Sequence, residues 1–301
     1  MESKQANGIV IIDKGEGLTS QGVVNRVKRL LSASRAGHTG TLDPMATGVL
    51  PVLVGRAVKA SEYMMSTKKH YIATLRLGIT TDTEDITGKT LTESDDIPTE
   101  ERVREVCASM LGESMQTPPM YSAIKVNGHT LMELARRGEV VERQARPITV
   151  YRLDVQKLSE REYSLDVVCS KGTYIRTICA DIGAMLGCGG VMSALRRAET
   201  ATFTLDDAYT LEQIEKMTDE ERQNIVIPVE KIFEQYPIVN LPDFYATLAH
   251  NGAHIYQKKL GTDFPVGAKV RMYDREGFFS LGEVRQYEES KTAIKPIKAF
   301  R

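Results

Sequence analysis

Residues 35–51 read RAGHTGTLDPMATGVLP, and this stretch holds a single carboxylate, Asp43, in a run rich in glycine, threonine and proline. Glycine reaches backbone conformations closed to other residues and proline fixes its own φ, so the stretch predicts a loop of defined shape. Pro44 pushes Asp43 towards an extended conformation and offers it no N–H to cap. The loop therefore presents Asp43 as a candidate catalytic carboxylate. The alternative is an Asx turn in which Asp43 only ties its own loop.

The length and composition of the chain indicate a globular protein. Its 301 residues suffice for one large domain and a small one, and a hydrophobic content of 42% can supply a core. No apolar run is long enough to span a membrane and the first residues are polar, so we expect no secretory signal and a cytoplasmic location. The four cysteines are far apart and lack metal-ligand spacing, which predicts core thiols rather than disulfides or a zinc site.

The net charge of −1 hides a segregation of charge along the sequence. Residues 1–80 carry 11 basic and 5 acidic side chains, whereas residues 81–115 carry 3 basic and 10 acidic ones. Basic segments attract a polyanion even where the whole chain is not basic, so nucleic acid is a candidate partner. We interpret the acidic segment as structural, because runs of charge usually form solvated surface.

Hydrophobic periodicity and turn residues predict the elements around the loop. Alternation in HYIATLRLG predicts a strand with Tyr71 on its buried side. The side chains of Tyr174 and Arg176 would point apart on a helix, but they would lie on the same side of the backbone in a strand or turn before it. The predicted strands are 8–13, 49–54, 70–78, 151–158 and 162–170. Helices are predicted from Thr19 or Ser20, over 56–65, from about residue 98 and within 171–187, where a turn runs into the helix. A helical, acidic stretch over 209–234 precedes a tail of short alternating strands, typical of a small β-barrel.

The loop and four further segments resemble the TruB family of tRNA pseudouridine synthases. GHTGTLDPMATGVLP is similar to the signature loop of the family. The other segments follow in the family's order: DKGEGLTS from Asp13, KKHYIATLRLG from Lys68, QTPPMYSAIKVNG from Gln116 and CSKGTYIRTICADIG from Cys169. Five ordered segments, spread over most of the first 200 residues, are not an accident of composition.

The resemblance implies an α+β fold with two domains. The pseudouridine synthase domain would span residues 1–235, with a mixed, largely antiparallel sheet flanked by helices and loops. Within it, residues from about 119 to 147 would form a mobile insertion that clamps RNA. A PUA-like, RNA-binding β-barrel would span residues 236–301.

The resemblance also implies roles for individual residues. Asp43 would be the catalytic nucleophile, Arg176 its ionic partner, and Tyr71 the ring that stacks on the target base, with a hydroxyl placed to shuttle a proton. Tyr174 would contact the substrate and Leu195 would wall the base pocket. Apart from the resemblance, His38, Lys14 and Lys125 are further candidates for ordering the loop or binding RNA. Taken without the resemblance, Tyr71 and Leu195 are more typical of core residues and Arg176 of a surface cation.

The chemistry expected of Asp43 needs its charged form. Isomerising uridine to pseudouridine needs no redox cofactor or energy source, and the sequence holds no Walker loop, dinucleotide fingerprint or metal-spaced histidines. We therefore expect neither cofactor nor metal. Burial raises the pKa of a carboxyl group, whereas a nearby guanidinium favours the charged form, which is the role expected of Arg176. The sequence leaves open whether Asp43 attacks the ribose, adds to the ring or removes a proton.

The leading hypothesis is a monomeric synthase that flips uridine 55 out of the T-loop of tRNA and isomerises it, without an obligate protein partner. A second hypothesis is a module that binds or folds RNA without catalysis. A third, weaker one is a small-molecule enzyme that uses the glycine-rich loop for phosphate.

Overall fold

The fold is built on two sheets. A computed structural model describes residues 6–65, 68–288 and 291–301; residues 1–5, where the predicted first domain begins, lie outside these ranges. The described strands are β1 (Gly8–Lys14), β2 (Ala36–His38), β3 (Thr47–Val54), β4 (Lys69–Leu77), β5 (Ile79–Thr81), β6 (Thr90–Glu93), β7 (Gly112–Gln116), β8 (Lys125–Val126), β9 (His129–Thr130), β10 (Arg146–Lys157), β11 (Glu162–Cys169), β12 (Gly190–Thr200), β13 (Phe203–Thr204), β14 (Ile238–Asn240), β15 (Ile255–Tyr256), β16 (Lys269–Asp274), β17 (Gly277–Glu288) and β18 (Lys291–Ala299).

Helices and short 3₁₀ segments connect these strands. The α-helices are α1 (Ser20–Leu30), α2 (Ser61–Met65), α3 (Glu100–Ser109), α4 (Leu131–Arg136), α5 (Ile175–Leu186), α6 (Leu211–Lys216), α7 (Asp219–Asn224), α8 (Asp243–His250) and α9 (Gln257–Leu260). The 3₁₀ segments are Gly55–Ala60, Leu205–Asp207 and Val229–Phe233.

Strand β12 joins the two halves of the larger sheet, whose order is β1-β3-β12-β4-β11-β10-β7. It runs parallel to β3 and antiparallel to β4, and the other neighbours along this order are antiparallel. Apolar residues of α1, α3 and α5 share one buried cluster with β1, β4 and β11. The prediction of a mixed, largely antiparallel sheet with flanking helices is confirmed.

Local sequence explains where several of these elements begin and which face they bury. Thr19 caps α1 and accepts a hydrogen bond from the Gly22 N–H, and Thr99 caps α3 in the same way. In β4, Tyr71 is buried whereas Ile72 is exposed, and the alternation continues along the strand. The predicted strand and both predicted helix starts are confirmed.

Two helical predictions need correction in detail. Residues 56–65, predicted as one helix, form the 3₁₀ segment Gly55–Ala60 followed by α2. The stretch 209–234 is divided into α6, α7 and a 3₁₀ segment. Thr210 and Thr218 each form a capping box, and a capping residue takes an extended backbone, so each cap starts a new short helix.

The smaller sheet has the order β14-β16-β17-β18-β15. The predicted fold class, α+β with a small C-terminal β domain, is confirmed, whereas the domain boundary after residue 235 stays a prediction. The prediction of strands throughout the tail is wrong at α8. Ala246 and Ala249 lie three residues apart on a buried helix face, and Asp243 suits the first turn, so local sequence favours a helix there.

A buried cluster that contains several aromatic rings lies between the two sheets. The Phe233 ring lies 5.1 Å from that of Tyr63, 5.5 Å from Phe300, 6.0 Å from Phe278 and 6.5 Å from Tyr236, between ring centroids. Phe233 is fully buried at the centre of this group. Phe233 shares one buried cluster with Ile9 of β1 and Leu53 of β3 in the larger sheet and with Leu281 of β17 in the smaller one, so this cluster packs the two sheets together.

Candidate active site

The loop that carries Asp43 connects β2 to β3 and is held from both sides. The Asp43 carbonyl accepts a hydrogen bond from the Ala46 N–H at 3.0 Å, and the Pro44 carbonyl accepts one from Gly17 at 2.8 Å. The Ser20 hydroxyl bonds both backbone groups of Leu42, at 2.8 and 2.9 Å. Hydrogen bonds from Gly17 and Ser20 thus hold the loop on the side of β1 and α1.

Lys14 lies beneath this loop. Its side chain is fully buried, and its ammonium group donates to the carbonyls of Gly15, Pro44 and Ala46. Burial lowers the pKa of Lys14 to about 8, against the opposing attraction of Asp43. Of the two roles that the sequence left open for Lys14, ordering the loop fits this burial, because the side chain has no surface to offer a substrate.

Arg176 faces Asp43 across the site. Its Nε atom lies 3.0 Å from Asp43 Oδ2, and the side chain of Arg176 is buried. The same guanidinium donates to the carbonyls of Thr83 at 3.1 Å and Tyr121 at 2.8 Å, and it lies 3.9 Å from a carboxylate oxygen of Asp85. Arg176 is therefore not a surface cation, and it connects three separate loops.

Opposing influences act on the Asp43 carboxyl group. Burial raises its pKa above the ordinary value, Arg176 opposes that rise, and Asp85 adds to it. Arg176 thus stabilises the charged form of Asp43, which burial destabilises. Because the pKa of Asp43 is raised overall, its carboxylate is a stronger base than that of an exposed aspartate.

The start of α5 places Tyr174 and Arg176 together. Tyr174 is the N-cap of this helix, and the side chain of Gln116 holds its backbone from both sides. Gln116 Nε2 donates to the Tyr174 carbonyl at 3.1 Å, and the Tyr174 N–H donates to Gln116 Oε1 at 2.8 Å. Both Tyr174 and Arg176 line one cavity.

Strands β4 and β12 form the wall of this cavity. Leu195 of β12 pairs with Ala73 of β4, and Arg197 pairs with Tyr71 two positions along. Tyr71 and Leu195 are only 7% and 9% exposed. Burial raises the pKa of Tyr71, and Arg197 is the largest opposing influence.

The cavity has a volume of about 310 Å³. It lies at the lower end of the range of about 300–1,000 Å³ that is typical of ligand pockets. Five of the eight residues singled out from the sequence line it: Asp43, Tyr71, Tyr174, Arg176 and Leu195. Met132 of α4, in the predicted insertion, lines it as well.

The structure places the remaining candidates differently. His38 is half-buried, its Nδ1 accepts a hydrogen bond from Gly40 at 3.3 Å, and burial lowers its pKa. Lys125 is exposed on β8, outside the residues that line the cavity. Lys14, as described above, lies under the loop.

Sequence reasoning missed Asp85, Gln116 and Arg197. Asp85 belongs to the acidic segment interpreted as surface, yet it is buried and accepts hydrogen bonds from Thr83 and Thr87. The threonines on either side of Asp85 were a local signal for such a turn. Gln116 and Arg197 act through partners far away in sequence, for which no local signal exists.

The described residues hold neither a candidate metal cluster nor a candidate membrane-spanning helix. Among them, no group of three or more His, Cys, Asp and Glu residues is placed to hold a metal ion. No helix within the described ranges has the length and apolarity needed to cross a membrane. The four cysteines are buried, in keeping with their prediction as core thiols.

Comparisons with known proteins agree with this geometry. A family model described as TruB family pseudouridylate synthase (N terminal domain) matches residues 28–175, and one described as tRNA pseudouridylate synthase B C-terminal domain matches residues 176–234. The tRNA pseudouridine synthase B of Alkaliphilus oremlandii (strain OhILAs) is 41% identical over 294 residues, covering 97% of this chain and 98% of that protein. Its counterpart in Francisella tularensis subsp. novicida (strain U112) is 41% identical over 280 residues, covering 92% of this chain and 91% of that protein.

Solved structures show the same architecture. A crystal structure of a Cbf5-Nop10-Gar1 complex contains a chain that matches with a TM-score of 0.73 and 26% identity, covering 98% of this chain and 85% of that one. The archaeal box H/ACA sRNP Nop10-Cbf5 complex gives a TM-score of 0.70 and 26% identity, covering 99% and 87%. The fold and the site define an enzyme of the pseudouridine synthase class. Within that class, the chain belongs to the TruB family.

Proposed function

We propose that this chain converts uridine 55 in the T-loop of tRNA into pseudouridine, with Asp43 as the nucleophile. The observation that carries the proposal is the Asp43–Arg176 pair, 3.0 Å apart, at the floor of a cavity walled by Tyr71. The relatives at 41% identity are named tRNA pseudouridine synthase B, which supports tRNA as the substrate.

The reaction breaks the bond between ribose C1′ and uracil N1, turns the base, and joins C1′ to C5; C5 loses its proton and N1 gains one. No atoms are gained or lost overall, so a carboxylate and proton transfers suffice. Asp43 starts the reaction in its ionised form, which is required for attack on the ribose, addition to the ring and proton removal alike. Arg176 holds that form in a buried position.

A uridine inside a folded loop has to leave its stack to reach Asp43. Tyr71, Tyr174 and Leu195 would receive the base, since an aromatic face replaces lost stacking at about 1–3 kcal/mol per base. In this proposal the Tyr71 hydroxyl also passes a proton during the isomerisation.

The insertion from about 119 to 147 would close over the bound RNA. Met132 of this insertion lines the cavity. Arg143 donates a hydrogen bond to the Pro118 carbonyl at 3.0 Å, which connects the two ends of the segment. Its cations provide charge for phosphate contacts. They are Lys125, Arg136, Arg137, Arg143 and Arg146.

The smaller sheet, over residues 236–301, would add RNA contacts as a PUA-like domain. In this proposal the protein acts as a monomer without an obligate protein partner. The cytoplasmic location expected from the sequence belongs to the same proposal.

The experiment compares wild type with Asp43→Asn on unmodified tRNA and maps pseudouridine along the product. We expect conversion at position 55 by wild type and none by Asp43→Asn, with equal tRNA binding. Asp219→Asn is the matched control, since the Asp219 side chain is 95% exposed on α7. Equal conversion by wild type and Asp43→Asn would refute the role of Asp43. RNA binding and annealing by wild type without any conversion would favour an RNA-folding module instead.

A further inference from the structure

Gln116 is a buried side chain that bonds the backbone of a residue 58 positions away. It is the last residue of β7 and only 4% exposed. Its Nε2 donates to the Tyr174 carbonyl at 3.1 Å, and its Oε1 accepts from the Tyr174 N–H at 2.8 Å. Because one amide bonds both groups, the contact fixes the position and the orientation of the Tyr174 backbone. Gln116 lies outside the residues that line the cavity, so it acts through Tyr174 rather than on a substrate.

Tyr174 is the residue from which α5 starts. Its backbone is extended, with φ −97° and ψ 112°, and its side chain makes no capping hydrogen bond. A serine, threonine, asparagine or aspartate at an N-cap holds the helix start by accepting from a backbone N–H of the first turn. In α5 the N-cap backbone is held instead by the Gln116 amide, from a different strand.

The start of α5 sets the distance between Arg176 and Asp43. Arg176 is the second residue of the helix, and its Nε lies 3.0 Å from Asp43 Oδ2. Successive helix residues are displaced by about 1.5 Å along the axis and turned by about 100° around it. A shift of the helix start by one residue would therefore take Arg176 away from Asp43. The geometry of the pair depends on the N-cap two positions before Arg176.

The insertion predicted to clamp RNA is bonded to the same turn of α5. Arg176 Nη2 donates to the Tyr121 carbonyl at 2.8 Å. Tyr121 follows Gln116 by five residues, and two of the residues between them are prolines, whose φ angles are fixed. The segment 116–121 is thus attached to α5 at both ends, at Tyr174 and at Arg176.

We propose that Gln116 is a positioning residue for the Asp43–Arg176 pair: it holds the start of α5 where Arg176 meets Asp43. Because Gln116 lies directly before the insertion, the segment that would clamp RNA and the pair that would act on the base share one anchor. The inference rests on the proposed function and deepens it. Removing the Gln116 amide should disturb the pair even in the absence of RNA.

Gln257 is a matched control, because it makes the same kind of contact elsewhere in the chain. It is the first residue of α9 and 2% exposed. Its Nε2 donates to the Phe264 carbonyl at 2.9 Å, and its Oε1 accepts from the Phe264 N–H at 2.8 Å. Methionine has nearly the length of glutamine and no amide, so Gln116→Met and Gln257→Met each remove such a pair of hydrogen bonds. Each should lower Tm by several degrees.

The first measurement is the titration of the Asp43 carboxyl group in RNA-free protein by carboxyl ¹³C NMR, with the spectrum of Asp43→Asn to assign the signal. Arg176 is the largest influence that lowers the pKa of Asp43 against burial. We expect Gln116→Met to raise the pKa of Asp43 above its wild-type value, because Arg176 moves away from the carboxylate. Gln257→Met should leave that pKa unchanged.

The second measurement is the single-turnover rate at saturating unmodified tRNA, across the acid and neutral range. We expect Gln116→Met to slow the chemical step about 10- to 100-fold, since misplacing a catalytic group by about 1 Å costs up to about 100-fold. The acid limb of the pH–rate profile should move to higher pH, because a higher pKa means that the ionised form of Asp43 is lost at higher pH. Gln257→Met should keep the wild-type rate and acid limb.

A folded Gln116→Met protein with the wild-type pKa at Asp43 would overturn the inference, as would equal slowing by Gln116→Met and Gln257→Met. If Gln116→Met does not fold, Gln116→Asn enters both measurements with the same criteria, because its amide is on a shorter side chain that cannot reach both backbone groups. A wild type that converts no uridine 55 would refute the proposed function instead. The titration of Asp43 would still decide the role of Gln116, so the two failures are distinguishable.

Discussion

Replacing Arg176 with methionine is the most direct perturbation of the catalytic pair. Methionine has a similar reach and no charge, so the substitution removes the 3.0 Å contact with Asp43. It also leaves the carbonyls of Thr83 and Tyr121 without their donor. The site would then hold two carboxyl groups, Asp43 and Asp85, with no guanidinium between them.

The size of the effect follows from the burial of the pair. Arg176 is 6% exposed but the Asp43 side chain is 33% exposed, so we expect losing the contact to cost about 1.5–3 kcal/mol, as for a hydrogen bond to a charged group, rather than the larger cost of breaking a fully buried ion pair. If that loss falls on the charged form of Asp43, the rate of the chemical step drops about 10- to 150-fold. The pKa of Asp43, already raised by burial, should rise further, because Arg176 is the strongest influence lowering it.

The pH dependence has a defined sign. Asp43 acts in its ionised form, so the rate falls as the pH drops through its pKa, and a higher pKa moves that acid limb to higher pH. Arg176→Met should therefore lower the maximal rate and move the acid limb of the pH–rate profile to higher pH. Arg176→Lys keeps a positive charge, so its acid limb should lie nearer to that of wild type.

The assay follows tritium release from tRNA labelled at uridine C5, under single-turnover conditions across the acid and neutral range. Arg102→Met is the matched control, because Arg102 forms an exposed ion pair with Glu105 on α3. Thermal unfolding identifies variants that fail to fold. A folded Arg176→Met enzyme with the wild-type plateau and an unchanged acid limb would refute the reasoning.

Three further predictions concern the frame around the site. Gly48→Ala should lower Tm by several degrees and slow catalysis, because Gly48 has φ +100° and an added Cβ would lie 2.2 Å from the Arg197 carbonyl oxygen. An unchanged melting curve would contradict this. Phe233→Ala should cost about 3–5 kcal/mol in the free energy of unfolding, whereas Phe244→Ala, at a ring 68% exposed, should cost less than about 1 kcal/mol; similar denaturant midpoints for the two would contradict it. Thiol reagents at pH 8 should label the native protein slowly and the unfolded protein fully, since burial raises the pKa of Cys107 to about 11; rapid native labelling would contradict this.

Local sequence predicted elements whose signal is complete within a few residues. Thr99 caps α3 because its side chain reaches an N–H of the same turn, and the alternation in β4 follows from burial on one face. The error at α8 has the same origin. Short apolar runs between glycine and proline fit a strand or a helix, and the spacing of Ala246 and Ala249 was outweighed by the turn residues around it.

The sequence predicted the residues of the site only through its resemblance to the TruB family. Asp43, Tyr71 and Arg176 come together as the motifs implied, but their spacing of up to 133 residues gives no physical reason for the contact in sequence alone. Because Asp85 lies among other acidic residues, the sequence indicated a surface charge, whereas its carboxylate is buried. Arg197 was hidden in the same way by Arg196 beside it.

Strand β12 lies between β3 and β4 in the larger sheet, and this order has a consequence for biosynthesis. A ribosome delivers β3 and β4 more than a hundred residues before β12, so the two halves of the sheet wait as separate pieces with unpaired edges. Catalytic competence then arises in one late event, when β12 enters the gap and brings Leu195 and Arg197 to the loop. Nascent chains released before that point would carry Asp43 and Arg176 without the strand that closes the site between them.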